Sequence, residues 1–162
     1  SLNDELMAGV LKMAQARLSS GLIDQAMASK LTEVPETYFQ SVQAEYKARR
    51  DVVYEGLKNV PGVKISKPEG AFYTMVTLPI DDSEDFCRWL LTDFRDNVET
   101  VMLAPGPGFY GSTEFTPSLS GGLTTGASRG KQEVRIAYVI NQTDLKRSME
   151  IIKKALNEYN KK

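Results

Sequence analysis

The chain of 162 residues has the length of one domain, which allows a hydrophobic core but is short for a complete metabolic enzyme of most α/β types. Its 20 basic and 21 acidic residues give a formal net charge of -1, which argues against binding of nucleic acid or a membrane surface. Histidine is absent, so the chain cannot supply a Ser/His/Asp triad, a Cys/His pair or the usual zinc ligands. We expect no metal site.

The sequence gives no sign of a membrane span or a leader. No apolar run approaches the roughly 18 residues needed to cross a bilayer, and the first residues lack the basic region of a signal peptide. We therefore expect a cytoplasmic protein. The single Cys87 cannot form an internal disulfide, and its apolar helical surroundings indicate a structural residue.

Two apolar helices are predicted at the start of the chain. Residues 3–18 have helical apolar spacing behind an Asn3 cap, residues 19–21 interrupt the pattern, and residues 22–31 resume it. These helices are unusually apolar for elements with so little sheet to cover. We expect them to pack against something that this chain does not contain.

A long connecting helix is predicted next. The apolar spacing continues from residue 36 to about residue 57, and Glu45 and Arg49 are placed for an i,i+4 ion pair on its exposed side. The helix should end near residues 59–62, where proline and glycine occur.

The second half alternates between strands and helices. Strands are predicted over residues 63–66, 71–78, 98–103 and 134–140. Residues 81–84 should cap a helix, residues 106–131 should form a long irregular segment, and Thr143 and Asp144 should begin the last helix. The fold class is therefore α+β (α/β): a small sheet of three to four strands covered by helices, after the connecting helix and the two apolar helices.

Arg135 is the one charged residue in the otherwise apolar stretch 134–140. Side chains alternate along a strand, so one face should carry Val134, Ile136, Tyr138 and Ile140, and the other Arg135, Ala137 and Val139. Burying an unpaired guanidinium is costly, and its planar fork matches a carboxylate or phosphate. This predicts an anion site at Arg135, although the arginine could instead pair with an internal acid or extend to a sheet edge.

Three segments carry a family resemblance. They are Tyr46-Lys47-Ala48-Arg49-Arg50-Asp51, Pro68-Glu69-Gly70-Ala71-Phe72-Tyr73, and Ala104-Pro105-Gly106 through Phe109 followed by Val134-Arg135-Ile136-Ala137-Tyr138. In order and spacing, from about Leu6 to the C-terminus, the chain resembles the C-terminal part of the fold-type I, pyridoxal-phosphate-dependent class I/II aminotransferases, most closely the aspartate aminotransferase-like group. The resemblance implies that residues 1–34 are terminal helices of the large cofactor-binding domain. Residues 35–162 would be the connecting helix and the small domain.

The resemblance also implies a role for Arg135, which in such enzymes binds the α-carboxylate of the substrate. The implied substrates are amino acids and 2-oxo acids, and the implied parent is a homodimer that binds pyridoxal phosphate. Transamination requires the Cα–H bond to stand perpendicular to the cofactor ring, and a bidentate arginine on a rigid strand fixes one end of the substrate.

The chain departs from the family in lacking the cofactor lysine motif, the partner of the pyridine nitrogen, the aromatic residue stacked on the ring and the phosphate-binding residues. Ser29-Lys30 and Ser66-Lys67 lack the arginine and glycines that should follow the lysine, so we expect both lysines to be exposed. We therefore expect no catalytic and no cofactor-binding residue in this segment. Alone it should be inactive and should not bind pyridoxal phosphate.

Residues 106–131 form a longer connection than the resemblance implies. The segment could act as a flap over the substrate, with Arg129 as a candidate contact for a side-chain carboxylate, or it could be a disordered surface insertion. Two alternatives to an aminotransferase also stay open. One is a non-catalytic amino-acid-binding α/β module, and the other is a different fold-type I enzyme such as a lyase, synthase or decarboxylase.

Overall fold

The computed structural model describes residues 3–16, 20–110 and 129–161. The elements within these ranges are α1 (Asp4–Ala16), α2 (Leu22–Ala28), α3 (Glu36–Leu57), β1 (Lys64–Ile65), β2 (Tyr73–Thr77), α4 (Ser83–Thr92), β3 (Ala104–Pro105), β4 (Glu133–Ala137) and α5 (Gln142–Tyr159). The chain divides into two compact units, Ser1–Gln40 and Ser41–Lys162. The predicted domain boundary between residues 34 and 35 stays a prediction.

The first unit contains the two apolar helices. Asn3 caps α1 as predicted, because its side-chain oxygen accepts a hydrogen bond of 2.9 Å from the backbone N–H of Leu6. α2 ends earlier than predicted and continues as a 3-10 turn, Ser29–Glu33. Large apolar side chains on these elements are exposed: Leu6, Met7, Val10, Leu11, Met13, Leu22, Ile23, Met27 and Leu31. Residues 17–19, where the first helix was expected to end, lie outside the described residues.

The long helix α3 has the predicted bounds. Arg49 Nε donates to a carboxylate oxygen of Glu45 over 2.7 Å, which confirms the predicted i,i+4 pair. Beyond the helix the chain turns at Gly62, whose φ is +78° and where a Cβ atom would lie 2.7 Å from a side-chain carbon of Pro79. Glycine is favoured here because a left-handed φ disfavours a side chain and Pro79 leaves no space for one.

The second unit is built on a four-stranded sheet in the order β1-β2-β4-β3, in which all neighbouring strands are antiparallel. This confirms the predicted α+β class and its small sheet. β4 is a central strand, and the register places Arg135 between Met75 of β2 and Ala104 of β3. Strands pair with β4 on both sides, and this pairing holds the backbone around Arg135 in a fixed position.

One face of the sheet and three helices, α3, α4 and α5, form the core. The cluster contains Val53 and Leu57 of α3, Val76 of β2, Val134 and Ile136 of β4, Phe86, Trp89 and Leu90 of α4, and Leu145, Met149, Ile152 and Leu156 of α5. Cys87 is also buried, and burial raises the pKa of its thiol to about 11, so the thiol stays protonated as a structural residue should. None of the described helices combines the length and apolar character needed to cross a bilayer.

Side-chain caps begin two of the core helices, α4 and α5. Asp82 accepts hydrogen bonds from the backbone N–H groups of Glu84 and Asp85, at 2.8 and 3.3 Å, as the predicted cap cluster requires. The last helix begins at Gln142, one residue before the predicted start at Thr143. Asn141, and not Thr143, caps α5, because its side-chain oxygen accepts from the backbone N–H of Asp144 at 2.9 Å.

Two strand predictions were wrong in position. Residues 98–103 do not form a strand; β3 is Ala104–Pro105, and Val98 and Met102 are 91% and 81% exposed. Apolar composition favoured a strand there, but a left-handed turn at Asn97 precedes this stretch and pairing with β4 begins only at Ala104. β4 ends at Ala137, so the alternation does not reach Ile140, which is 44% exposed.

A charged cluster ties α5 to the turn before β3. Asp96 accepts from Lys154 and Arg147, each at 2.8 Å, and the hydrogen bond from Lys154, followed by that from Arg147, lowers the pKa of this carboxyl. A carboxyl with a lowered folded-state pKa stabilises the fold above its unfolded pKa, and this contribution is lost as the pH falls through the folded value.

We expect Asp96→Asn to lower the melting temperature at neutral pH, since the amide cannot pair with the two cations. The difference from wild type should shrink as the pH falls below about 4, where the unfolded carboxyl is itself protonated. Thermal unfolding followed between pH 2 and 8 measures this, with exposed Asp81→Asn as the control. A constant difference across that pH range would contradict the assignment.

Candidate functional site

The site is built around Arg135 on the central strand β4. Val134 and Ile136 are buried on one face, and Arg135 is half-buried on the other, which confirms the predicted alternation at these positions. The side chain therefore leaves the sheet on the face opposite the core. Rigid backbone pairing and partial burial are the conditions under which a guanidinium binds an anion with little loss of its own freedom.

Two aromatic rings contact the Arg135 guanidinium. Its central carbon, Cζ, lies 4.3 Å from the ring centroid of Phe109 and 5.2 Å from that of Tyr73. Such cation–π contacts stabilise the cation without neutralising it. Across residues 3–16, 20–110 and 129–161, no carboxylate forms an ion pair with Arg135. The alternative of an internal acidic partner therefore finds no support in this part of the chain.

The segment that carries Tyr73 is held by the other two family-like segments. The Tyr138 hydroxyl donates to the carbonyl oxygens of Gly70 and Ala71, at 3.2 and 3.1 Å, and Arg50 of α3 donates to that of Pro68 at 3.3 Å. Ala71 adopts a left-handed φ of +61°, which is uncommon without glycine and requires support from its surroundings. The three segments thus meet at one end of the sheet.

We expect Tyr138→Phe to destabilise this arrangement. The hydroxyl is buried, burial raises its pKa, and its loss leaves two carbonyl groups without their donor, so stability should fall by about 1–2 kcal/mol. Urea unfolding of the chain, followed by fluorescence of its single tryptophan, measures the change. Tyr54→Phe is the matched control because the Tyr54 ring contacts Lys58 and Lys67 instead. Equal stability of the two variants would contradict this role of Tyr138.

Phe109 is placed by a 3-10 turn, Gly106–Phe109, that follows β3. Gly106 is buried, and a Cβ atom on it would lie 2.5 Å from the carbonyl oxygen of Gly130. The next residue, Tyr110, packs its ring on Gly130 and donates a hydrogen bond from its hydroxyl to the Glu133 carboxylate. The two ends of the long connection between β3 and β4 are therefore held together beside Arg135.

The remaining predicted positions are less informative. Residues 111–128 lie outside the described residues, so the flap and the disordered insertion stay predictions. Arg129 is exposed in the turn before β4, and its role as a loop contact also stays a prediction. Lys30 and Lys67 are 71% and 52% exposed and pair with Glu33 and Asp51, at 2.7 and 3.2 Å, as expected of surface lysines. Within the described ranges no cluster of side chains is suited to hold a metal ion.

A comparison with known protein families shows which family the chain belongs to. Residues 1–104, more than half of the chain, match the family Aminotransferase class I and II. The chain belongs to this family. It is 32% identical over 119 residues to the aspartate aminotransferase of Pyrococcus horikoshii, covering 72% of the chain and 25% of that protein. It is 29% identical over 158 residues to the (5-formylfuran-3-yl)methyl phosphate transaminase of Methanocaldococcus jannaschii, covering 96% of the chain and 36% of that protein.

Solved aminotransferases share the fold. The alanine aminotransferase of Pyrococcus furiosus matches with a TM-score of 0.62 and 21% identity, over 96% of the chain and 35% of that structure. The aspartate aminotransferase of Rhizobium meliloti matches with a TM-score of 0.58 and 26% identity, over 91% of the chain and 34% of that structure. The chain thus spans 35% and 34% of these two solved proteins and 25% and 36% of these two curated relatives.

The sequence alone does not predict the aromatic contacts of Arg135 or the bond between Tyr110 and Glu133. Tyr73 and Phe109 are the last residues of two of the family-like segments, and both lie next to turns. This position was the feature of the sequence that could have identified them as site residues. Their closeness to Arg135 depends on strand register, which joins residues distant along the chain.

Proposed function

We propose that this chain is the C-terminal part of a longer pyridoxal-phosphate-dependent amino-acid aminotransferase and that Arg135 binds the α-carboxylate of its substrate. The observation that carries the proposal is a half-buried guanidinium on a central strand that has no carboxylate partner among the described residues. In this proposal residues 1–34 end the large domain, and residues 35–162 are the connecting helix and the small domain.

The exposed apolar side chains of α1 and α2 support a missing large domain. Surfaces of this kind are usually covered by another part of the protein. The relatives are also much longer than this chain, since it spans 25% and 36% of two of them. We also propose that the longer parent protein is a cytoplasmic homodimer.

Arg135 would act by binding and orientation. Two parallel hydrogen bonds from its fork would fix the carboxylate plane, which restrains one end of the amino acid or the 2-oxo acid and limits the orientations of its Cα. Phe109 and Tyr73 would exclude water from the guanidinium, which strengthens its attraction for the carboxylate. Arg135 itself takes no part in proton transfer.

We assign the cofactor to the large domain. Pyridoxal phosphate, when bound, supplies the electron sink for transamination. Lys30 and Lys67, the two lysines that directly follow a serine, are exposed and ion-paired and do not fit a buried cofactor linkage. No step on the cofactor is therefore assigned to a residue of this chain.

A test of the proposal compares substrates with and without an α-carboxylate. The full-length holoenzyme should convert L-alanine or L-aspartate and should react far more slowly with the matching amines, ethylamine and β-alanine. Absorbance changes of the cofactor on mixing with each compound give the rates. Equal rates for an amino acid and its amine would rule out carboxylate binding as the function of this site.

The isolated 162-residue chain should show neither transaminase activity nor the visible absorbance of a cofactor–lysine linkage when mixed with pyridoxal phosphate. The expected cause is the absence of the cofactor lysine and of the residues that hold the phosphate. The full-length protein measured in parallel is the control. A yellow complex of the chain that borohydride reduces at one lysine would contradict this assignment.

A second candidate is a stand-alone amino-acid-binding module. It is favoured by the fact that the unit Ser41–Lys162 has its own core and carries Arg135 with both aromatic contacts. Calorimetric titration of the chain with L-aspartate, L-glutamate and L-alanine separates the two candidates. A stand-alone module should bind one of them, whereas half of an active site should bind none measurably.

A further inference from the structure

The contacts beside Arg135 form a continuous arrangement that joins the start and the end of one long connection. Phe109 lies over the guanidinium, with its ring centroid 4.3 Å from Arg135 Cζ. The neighbouring Tyr110 reaches across to Gly130 and Glu133 at the other end of the connection. Glu133 precedes Arg135 by two residues, so both lie on the same face of β4.

The contact between Tyr110 and Gly130 leaves no room for a side chain. A Cβ atom on Gly130 would lie 2.4 Å from a ring carbon of Tyr110, and the φ of +71° at Gly130 also favours glycine. The Tyr110 ring therefore packs directly against the backbone of Gly130. This close approach fixes the position of Tyr110 relative to the first residues of β4.

The hydroxyl of Tyr110 completes the arrangement. It donates to the Glu133 carboxylate, and this hydrogen bond is the main cause that raises the pKa of the Tyr110 hydroxyl, with the charge of Arg129 opposing the rise. The phenol thus keeps its proton and stays a donor at neutral pH. Glu133 in turn lies opposite Thr77 in the register with β2, so the acceptor is part of the sheet.

We propose that Tyr110 is a positioning residue that, by binding Gly130 and Glu133, holds Phe109 over Arg135 and so fixes the guanidinium in the orientation that receives a substrate carboxylate. This inference rests on the proposed function of Arg135. Tyr110 itself contacts no reacting atom. Because Phe109 restrains the Arg135 side chain before substrate binds, the side chain loses less conformational entropy on binding. Tyr110 should therefore affect substrate affinity more than the rate of the chemical step.

The kinetic test uses Tyr110→Phe in the full-length holoenzyme with whichever of L-aspartate, L-alanine and L-tyrosine gives the highest kcat/KM. We expect KM to rise about three- to tenfold with kcat within about twofold, because the loss is in binding. Tyr54→Phe removes a hydroxyl from α3 and should leave both constants unchanged. Gly130→Ala, which displaces the Tyr110 ring, should raise KM at least as much as Tyr110→Phe.

A spectroscopic test measures the position of the Phe109 ring relative to Arg135 in the absence of substrate. In full-length protein labelled selectively with isotopic arginine, the side-chain protons of Arg135 should be shifted upfield by the Phe109 ring, and Arg135→Lys identifies the signal. Phe109→Leu should abolish most of the shift, Tyr110→Phe should reduce it, and Tyr54→Phe should leave it unchanged.

The outcomes separate this inference from the proposed function. An unchanged KM in Tyr110→Phe, with or without a lower melting temperature, would overturn the positioning role even if Arg135→Lys abolishes binding. An unchanged Arg135 signal in Tyr110→Phe would overturn it as well. By contrast, an unchanged KM in Arg135→Lys would overturn the proposed function of Arg135 itself.

Discussion

Arg135→Lys in the full-length enzyme is expected to lower kcat/KM for its amino-acid substrate by about 10- to 150-fold, mostly through KM. Lysine keeps the positive charge but cannot form the two parallel hydrogen bonds of the guanidinium fork. Loss of one hydrogen bond to a charged group costs about 1.5–3 kcal/mol, which corresponds to that range in affinity. Arg135→Met, which also removes the charge, should lose more.

The measurement is steady-state kinetics over a wide range of substrate concentration, together with the rate for the matching amine. Arg88→Lys is the matched control, because Arg88 is an exposed arginine on α4 that pairs with Asp85 at 3.0 Å. Its kinetic constants should equal those of the wild type. In Arg135→Lys the preference for the amino acid over its amine should shrink by the same factor as kcat/KM. A variant with unaltered affinity and unaltered preference would reject Arg135 as the carboxylate ligand.

Local patterns in the sequence predicted the helices well. α3 begins and ends at the predicted residues, and Glu45 pairs with Arg49 as its spacing required. Helical spacing is visible within a window of a few turns, and it depends little on distant parts of the chain. The same holds for the alternation that places Arg135 opposite the buried Val134 and Ile136.

Strand pairing was harder to predict because it depends on distant partners. The apolar residues 98–103 have the composition of a strand, but β3 is the two-residue pair Ala104–Pro105. Its position follows from the register with Arg135 and Val134, about thirty residues further along the chain. No pattern within 98–103 contains that information.

The candidate site was also predictable only in part from the sequence. The sequence alone indicated Arg135, since a charge inside an apolar strand is unusual without a partner. It did not indicate the rings of Tyr73 and Phe109 or the hydrogen bond from Tyr110 to Glu133. These contacts join residues that are distant along the chain, and only the folded register brings them together.

Phe86→Ala is expected to cause the largest loss of stability, about 3–5 kcal/mol, because it removes a fully buried ring and leaves a cavity. The ring centroid of Phe86 lies 5.1 Å from that of Tyr159 in an edge-on contact and 6.0 Å from that of Trp89 in a stacked one. Such aromatic pairs add to the transfer free energy that is lost with the ring. The deletion therefore weakens contacts on both α4 and α5.

Urea unfolding of the chain, followed by fluorescence of Trp89, measures this loss directly because the only tryptophan is a neighbour of Phe86. Val98→Ala is the control, since Val98 is 91% exposed and its truncation should change stability by less than about 0.5 kcal/mol. Should Phe86→Ala leave no folded baseline, Phe86→Leu keeps part of the volume and should cost less. A loss in Phe86→Leu no larger than that in Val98→Ala would show that this cluster is not the core. Because Val134 and Ile136 belong to the same cluster, the backbone that holds Arg135 would then need another source of rigidity.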